Sequence, residues 1–148
     1  MSRGFCWIGV VHGKSPQNIG TLWRSAHGFG AAGIFTVGQR YPMQASDTTK
    51  AWRHVPLLHF PTIRDLIDHL PHACRLVGVE IAPKAHTLTN YVHPESACYL
   101  LGAEDHGLSP TDLARCHDLV QVPHAARCLN VATAGSILLY DRAVKATA

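Results

Sequence analysis

Residues 99–110 read YLLGAEDHGLSP and residues 120–141 read VQVPHAARCLNVATAGSILLYD, and these two stretches decide the fold. The apolar run Ala97–Gly102 stops at a glycine and opens into a polar loop. The apolar run Leu119–Val122 stops at a proline, and a polar turn leads to Asn130, which can cap the helix that follows. Polar, glycine-bearing loops at strand ends are where α/β sheets bind ligands. The two loops are therefore predicted to form one ligand pocket.

Earlier in the chain, short apolar runs alternate with helical patterns. The predicted strands are Trp7–Val11, Ile34–Val37, Leu57–Phe60 and Arg75–Val79. The predicted helices begin at Asn18 as a plausible cap, at Thr48 for a short helix to His54, at Pro61-Thr62 and at Ser109-Pro110, whereas Ala82–Pro94 is rich in turns. Such alternation indicates an α/β fold with a mainly parallel sheet and helices on both faces. With no linker or repeat, residues 1–148 are expected to form a single domain.

Charge and composition narrow the class of protein. The chain has 13 Lys and Arg against 10 Asp and Glu, with 11 His, so its formal charge of +3 permits a nucleic-acid partner without requiring one. Charged residues make up 16% of the chain, below the roughly 25% of ordinary soluble domains, which favours an oligomer. No apolar run approaches the roughly 18 residues of a membrane helix, so we expect a cytoplasmic protein without a membrane span or signal peptide.

Other patterns suggest different chemistry. Residues 28–33 read GFGAAG and match the dinucleotide fingerprint GxGxxG, but here a helix enters the motif and a strand leaves it, the reverse of a dinucleotide site. The pairs Cys116-His117 and His124 with Cys128 lack the CxxC spacing of common zinc sites, so no metal site is predicted. The five cysteines are odd in number and widely spaced, which favours reduced thiols. A Cys-dependent hydrolase that uses Cys128 stays open as an alternative.

Three segments together carry a family resemblance. They are NIGTLWRSAHGFG (18–30), LLGAEDHGLSP (100–110) and VQVPHAARCLNVATAGSILLYD (120–141). In order and spacing they resemble the three motifs of the SpoU/TrmH branch of the SPOUT RNA methyltransferases. The resemblance implies an α/β fold with a C-terminal deep trefoil knot, S-adenosylmethionine as the cofactor, and a homodimer. It also implies methyl transfer to a ribose 2′-hydroxyl of RNA, with tRNA favoured over rRNA. A non-catalytic RNA-binding module of the same fold is the main alternative.

The resemblance also implies roles for individual residues. The implied catalytic residues are Asn18, Arg24, Glu104 and Asn130. The implied cofactor-binding residues are Val79, Glu80, Gly102, Glu104, Gly107, Val122, Pro123, Cys128 and Leu129. The expected RNA-binding cations are Lys14, Arg24, Arg53 and Arg127, with Arg40 and Lys50 as further candidates. Each role has a plain structural alternative: Asn18 and Asn130 as helix caps, Glu104 as a solvated loop acid, and Arg24 as a surface or interface cation.

Two positions limit what the resemblance implies. The family usually has serine where Cys128 stands, and a thiol is a weaker hydrogen-bonding group than a hydroxyl. The family assigns activation of the acceptor hydroxyl to the arginine at position 24, but a guanidinium with a pKa above about 12 is a poor base. Either a special environment lowers the pKa of Arg24, or Arg24 orients a phosphate and stabilises the forming alkoxide.

Overall fold

The computed structural model of the chain describes residues 4–41, 50–123 and 128–147. These residues form seven strands and four α-helices. The strands are β1 (Phe5–Val11), β2 (Gly33–Val37), β3 (Leu57–Phe60), β4 (Arg75–Val79), β5 (His86–Thr87), β6 (Ser96–Leu101) and β7 (Asp118–Gln121). The helices are α1 (Pro16–Gly28), α2 (Ile63–Asp68), α3 (Pro110–Arg115) and α4 (Val131–Thr147).

The strands form one sheet in the order β3-β2-β1-β6-β4-β7-β5. Every pairing among the described strands is parallel, which confirms the predicted parallel sheet. Val79 lies beside Leu101 on β6 and beside Val120 on β7, so β4, β6 and β7 end almost level. Because parallel strands share one carboxyl edge, the loops that follow these three strands meet there.

Helices cover both faces of the sheet, as predicted. On one face, Leu22 of α1 and Leu138 of α4 pack into a core that includes Ile8. On the other face, Leu66 of α2 packs with the second core, and Leu113 of α3 lies against it. The deep trefoil knot stays a prediction that follows from the resemblance. Among the described residues, no helix has both the length and the apolar character needed to cross a membrane.

Helix α1 begins before the predicted residue. Its cap position is Ser15 and its first residue is Pro16, so the prediction of Asn18 as the cap is wrong. Proline is favoured at the first helical position because its fixed φ suits the helix and its missing N–H would have no partner there. Asn18 therefore lies inside the first turn, where its side chain is free to bond elsewhere.

Two other local predictions need correction. The predicted short helix Thr48–His54 is a single 3-10 turn, Ala51–Arg53, and residues 48 and 49 lie outside the described residues. The turn-rich segment Ala82–Pro94 contains the short strand β5, which pairs with β7 at the edge of the sheet. A two-residue strand is too short to show the alternation by which strands are recognised in sequence.

A buried polar network fixes α4 at the amino edge of the sheet. The His93 ring accepts or donates hydrogen bonds at both nitrogens, to Tyr99 Oη at 2.6 Å and to Asp141 Oδ2 at 2.8 Å. Lys145 pairs with the same carboxylate at 2.8 Å. Arg142 of α4 donates to Tyr99 Oη at 2.9 Å and to the carbonyl of Pro94 at 2.7 Å. Burial lowers the pKa of His93, an effect that Asp141 offsets only in part.

This network predicts acid sensitivity. A histidine whose pKa is lower in the folded state binds its proton first in the unfolded chain, so stability is lost as the pH falls through about 6.5. We expect the free energy of unfolding, measured with urea, to decline below that pH. One histidine contributes a slope of at most about 1.4 kcal/mol per pH unit. His93→Gln should reduce this slope, and an unchanged slope in the variant would contradict the assignment.

Candidate functional site

A cavity of about 370 Å³ lies at the carboxyl ends of β4, β6 and β7. Its walls come from the loops after these strands and from the start of α4, which confirms the predicted position of a pocket. The predicted cofactor residues that line it are Val79, Glu80, Gly102, Glu104, Gly107, Val122, Cys128 and Leu129, whereas Pro123 is not among its lining residues. Backbone and apolar groups from three loops thus surround one space.

A glycine lets the loop after β6 fold back closely on itself. A Cβ atom on Gly102 would lie 2.2 Å from the carbonyl carbon of Gly107 and 2.4 Å from the amide nitrogen of Leu108. Real Cβ atoms essentially never come within 3.0 Å of a non-bonded atom, and both of these neighbours belong to the backbone. Gly102 is therefore required for the loop after β6 to fold back on itself.

Glu80, the first residue after β4, holds this loop in place. Its Oε2 atom accepts a hydrogen bond from the Leu108 amide at 2.8 Å, and its Oε1 atom accepts one from the Ile81 amide at 3.1 Å. Gly107 has φ +62, and a Cβ atom there would lie 2.2 Å from Glu80 Oε2. Since each carboxylate oxygen can accept two hydrogen bonds, Glu80 retains acceptor capacity beside the cavity.

Glu104 connects the second motif to the first. Its carboxylate accepts hydrogen bonds from the backbone amides of Lys14 at 3.1 Å and Ser15 at 3.3 Å, and from Asn18 Nδ2 at 3.0 Å. Desolvation raises the pKa of Glu104, but these hydrogen bonds together outweigh it, so the pKa lies below its ordinary value. The side chain of Lys14 forms an ion pair with the neighbouring Asp105. Glu104 is thus an exposed loop carboxylate whose hydrogen bonds fix the entry to α1.

The third motif joins the same network through Asn130. Its Nδ2 atom donates to Asn18 Oδ1 at 2.9 Å, while its Oδ1 atom accepts from the Thr133 amide at 3.1 Å. Asn130 therefore caps α4 and contacts the first motif at the same time. The Asn130–Asn18–Glu104 hydrogen-bond chain brings together residues that are 86 and 112 positions apart in sequence.

Arg24 lies outside the cavity. It is an exposed residue on α1, six positions beyond Asn18, which corresponds to about 9 Å along a helix axis. Within the described ranges, no carboxylate pairs with it. The predicted catalytic residues thus fall into two groups: three that form the hydrogen-bond chain, and one that is free to meet another molecule.

The predicted RNA-binding cations have different environments. Lys14 is paired with Asp105 at the rim of the cavity. The guanidinium of Arg53 lies over the ring of Trp52, with its Cζ atom 5.2 Å from the ring centroid. Arg127 lies outside the described residues, so its predicted role is not located in the structure. Lys14 and Arg53 are both exposed, but in the described residues only Lys14 is paired with a carboxylate.

Some residues of the site were not recognised from sequence. Ile81, His106, Leu108 and Ala134 also line the cavity. Ala134 is four positions beyond Asn130, one turn along α4, and this spacing was the signal that could have identified it. The buried and half-buried cysteines are free thiols, as predicted, whereas Cys128 is exposed. No group of three or more His, Cys, Asp or Glu within the described part of the chain is placed to hold a metal ion.

Two curated relatives of this chain are longer than it is, and the chain matches only part of each of them. A Mycobacterium avium protein named as an uncharacterized tRNA/rRNA methyltransferase is 28% identical over 138 residues, covering 86% of this chain and 43% of its own. A Staphylococcus aureus protein assigned to the TrmH family of tRNA/rRNA methyltransferases is 25% identical over 146 residues, covering 94% and 59%. The chain thus spans about half the length of these curated relatives.

Solved structures share the fold. The SpoU methyltransferase AviRb of Streptomyces viridochromogenes, in complex with AdoMet, superposes with a TM-score of 0.82 at 24% identity, covering 95% of this chain and 57% of AviRb. A chain from a structural study of 2-OH methylation of C/U34 on tRNA gives a TM-score of 0.81 at 22% identity, covering 95% of both chains. The model of the SpoU rRNA Methylase family matches residues 7–140. Because this match extends over nearly the whole chain, the chain belongs to the SpoU rRNA Methylase family.

Proposed function

We propose that the chain is an S-adenosylmethionine-dependent RNA methyltransferase that methylates a ribose 2′-hydroxyl, with tRNA as the first candidate substrate and rRNA as the second. The observation that carries the proposal is the cavity at the carboxyl edge of the sheet, beside which all three motifs meet through the Asn130–Asn18–Glu104 hydrogen-bond chain. Family membership supports the reaction class. The AdoMet complex of AviRb supports the cofactor, and the C/U34 study supports tRNA.

The residues of the cavity fit this cofactor. A volume of about 370 Å³ lies in the range of small-molecule sites. Val122 and Leu129 provide apolar contact for a base, and Glu80 provides an acceptor for hydroxyl groups. Gly102 lines the cavity directly after the end of β6. Cys128 lines the cavity, so a backbone contact at this position does not depend on the hydroxyl of the family serine.

Bound there, S-adenosylmethionine supplies a methyl group on a sulfonium, which is a good leaving group. The acceptor hydroxyl would pass its proton to water, and the residues of the chain would hold the acceptor oxygen in line, at about 3 to 3.5 Å, and stabilise the charge that develops on it. The hydrogen-bond chain fixes the start of α1, and α1 in turn presents Arg24. We infer that Arg24 orients a phosphate and stabilises the forming alkoxide, since it is exposed and no carboxylate pairs with it within the described ranges.

A direct experiment tests the reaction. The protein is incubated with radiolabelled methyl donor and total RNA, and any new 2′-O-methyl group is mapped by its resistance to alkaline cleavage. We expect label in tRNA at a single ribose position. Label in a base, or no label although calorimetry detects cofactor binding, would overturn the proposed reaction. Absence of cofactor binding as well would favour the non-catalytic RNA-binding module.

We also propose a homodimer that uses the outer face of α4. Ile137, Tyr140 and Val144 recur at three- and four-residue spacing and form an exposed apolar stripe, with Tyr140 59% exposed and in edge contact with Phe29 of α1. A second copy of the chain is the occupant implied by the family resemblance and favoured by the charged fraction of only 16%. Sedimentation should give a dimer for the wild type and a weaker dimer for Tyr140→Glu. A monomeric wild type would exclude this proposal.

A further inference from the structure

Positive charge is concentrated in the first part of the chain. Residues 1–63 contain six Lys and Arg and a single acid, Asp47, whereas residues 64–148 contain seven Lys and Arg and nine Asp and Glu. Of the basic residues in the first part, Lys14 is paired with Asp105 of the second part. In the described ranges, no carboxylate pairs with Arg24 or Arg53. The part of the chain that contains α1 and the 3-10 turn Ala51–Arg53 is therefore suited to an anionic partner.

An exposed tryptophan lies in this basic part of the chain. Trp52 belongs to the 3-10 turn Ala51–Arg53, whose first residue is buried in the core. The turn is anchored to α1 by a hydrogen bond of 2.8 Å from Trp23 Nε1 to the carbonyl of Val55. Trp52 itself is 40% exposed and lies under the guanidinium of Arg53. A large aromatic ring is thus presented to solvent by a well-anchored turn.

Two histidines continue the surface toward α1. The rings of His27 and His54 are stacked, with centroids 4.4 Å apart and an angle of 3° between their planes. His27 is three positions beyond Arg24, so the two side chains are neighbours on the surface of α1. We call His27, Trp52, Arg53 and His54 the Trp52 surface. It consists of planar and cationic groups and joins directly to Arg24.

The Trp52 surface lies close enough to the candidate site for one RNA strand to contact both. His27 is nine positions beyond Asn18, which corresponds to about 13 Å along α1. Arg24 lies between them. A chain of nucleotides that placed its reacting ribose near the cavity and its phosphate near Arg24 would thus reach the Trp52 surface within a few nucleotides.

We propose that an unpaired nucleobase of the RNA, a few nucleotides from the methylated ribose, stacks on Trp52, with Arg53 and the His27–His54 pair flanking it. This inference rests on the proposed function for one point, the identity of the RNA. The stacking of a base on Trp52 does not depend on the proposed function. Aromatic rings and guanidinium planes are the groups on which proteins stack splayed-out bases. The basic surroundings select a polyanion over an apolar protein partner.

The first test measures binding with defined probes. The probes are single-stranded poly(A), duplex poly(A)·poly(U), and an abasic ribose-phosphate oligomer, which offers phosphates without bases. Trp52→Ala should weaken binding of poly(A) about tenfold or more, because stacking of one base contributes that much. Trp52→Phe should retain most of the affinity. Binding of the abasic oligomer should be equal in the wild type and Trp52→Ala, and Val92→Ala serves as a control at another exposed apolar residue.

The second test uses fluorescence and salt. The chain has three tryptophans, of which Trp23 is buried and Trp7 is half-buried. Poly(A) should quench part of the wild-type emission, and this part should be missing in Trp52→Phe. Trp52→Ala should leave the dependence of log affinity on log salt unchanged, whereas Arg53→Gln should make it shallower by about one unit if Arg53 contacts a phosphate.

Specific outcomes would overturn the inference. Normal binding of poly(A) by Trp52→Ala would exclude stacking, and an equal loss for the abasic oligomer would indicate a general structural effect. A change from dimer to monomer in Trp52→Ala would assign the Trp52 surface to contact between copies. If the wild type transfers no methyl group but Trp52 is quenched by poly(A), the proposed function fails and the stacking surface stands. If Trp52→Ala both methylates and binds RNA normally, the stacking surface fails and the proposed function stands.

Discussion

Replacing Gly102 with alanine should reduce the affinity for S-adenosylmethionine by about 100-fold or more. The new Cβ atom would lie 2.2 to 2.6 Å from backbone atoms of Gly107 and Leu108, so the loop after β6 has to move. That loop also carries Glu104, and its Leu108 amide donates a hydrogen bond to Glu80. Displacement of the loop removes several of its contacts to the cofactor at once, and two lost hydrogen bonds of up to about 1.5 kcal/mol each correspond to about 100-fold in affinity. Calorimetric titration with the cofactor measures the effect.

Gly28 provides the matched control for this experiment. It ends α1, and a Cβ atom there would meet nothing within 4 Å. Gly28→Ala should therefore bind the cofactor as tightly as the wild type. Circular dichroism should show that both variants keep the helix content of the wild type. Cofactor binding by Gly102→Ala within twofold of the wild type would mean that the loop after β6 does not form the binding site.

Replacing Arg24 with lysine should lower the rate of methyl transfer by about 10² to 10³, the range found when one group that stabilises a transition state is removed. The substitution keeps the positive charge but loses the planar guanidinium, which can contact a phosphate and an alkoxide together. Cofactor affinity should not change, because Arg24 is not among the residues that line the cavity. Single-turnover rates at saturating RNA, with cofactor binding measured in parallel, separate the two effects.

Arg64 offers a control for the loss of an exposed guanidinium. It lies on α2, on the opposite face of the sheet, and forms an exposed pair with Asp68. Arg64→Lys should methylate RNA at the wild-type rate. If Arg24→Lys also reacts at that rate, Arg24 neither activates the hydroxyl nor stabilises the alkoxide.

The sequence predicted those parts of the fold that depend on local patterns. The strands Leu57–Phe60 and Arg75–Val79 have the predicted bounds, and the helix predicted at Ser109-Pro110 begins there. The GFGAAG stretch is preceded by α1 and followed by β2, as predicted. In each case the signal is a run of apolar residues or a capping residue, and such signals act within a few positions.

The sequence did not predict those features of the fold and the site that depend on contacts between distant segments. The position of β6 between β1 and β4 is set by packing of the whole sheet and not by any residue near β6. The donors to Glu104 include two backbone amides, which every residue but proline possesses, so no residue type marks them in the sequence. Asn18 was identified as important through the family resemblance, but its partners Glu104 and Asn130 became known only from the structure.

The Asn130–Asn18–Glu104 hydrogen-bond chain also has a consequence for folding during synthesis. During synthesis the amino-terminal part of a chain emerges and folds first, and contacts between distant residues form late. Strands β1 and β2 with α1 can pair soon after they appear, but Asn18 then still lacks both of its partners. The start of α1 becomes fixed only when β6, β7 and α4 have been added. The cavity proposed to bind the methyl donor is therefore incomplete until residues 128–147 have docked, because Cys128, Leu129 and Ala134 form part of its lining.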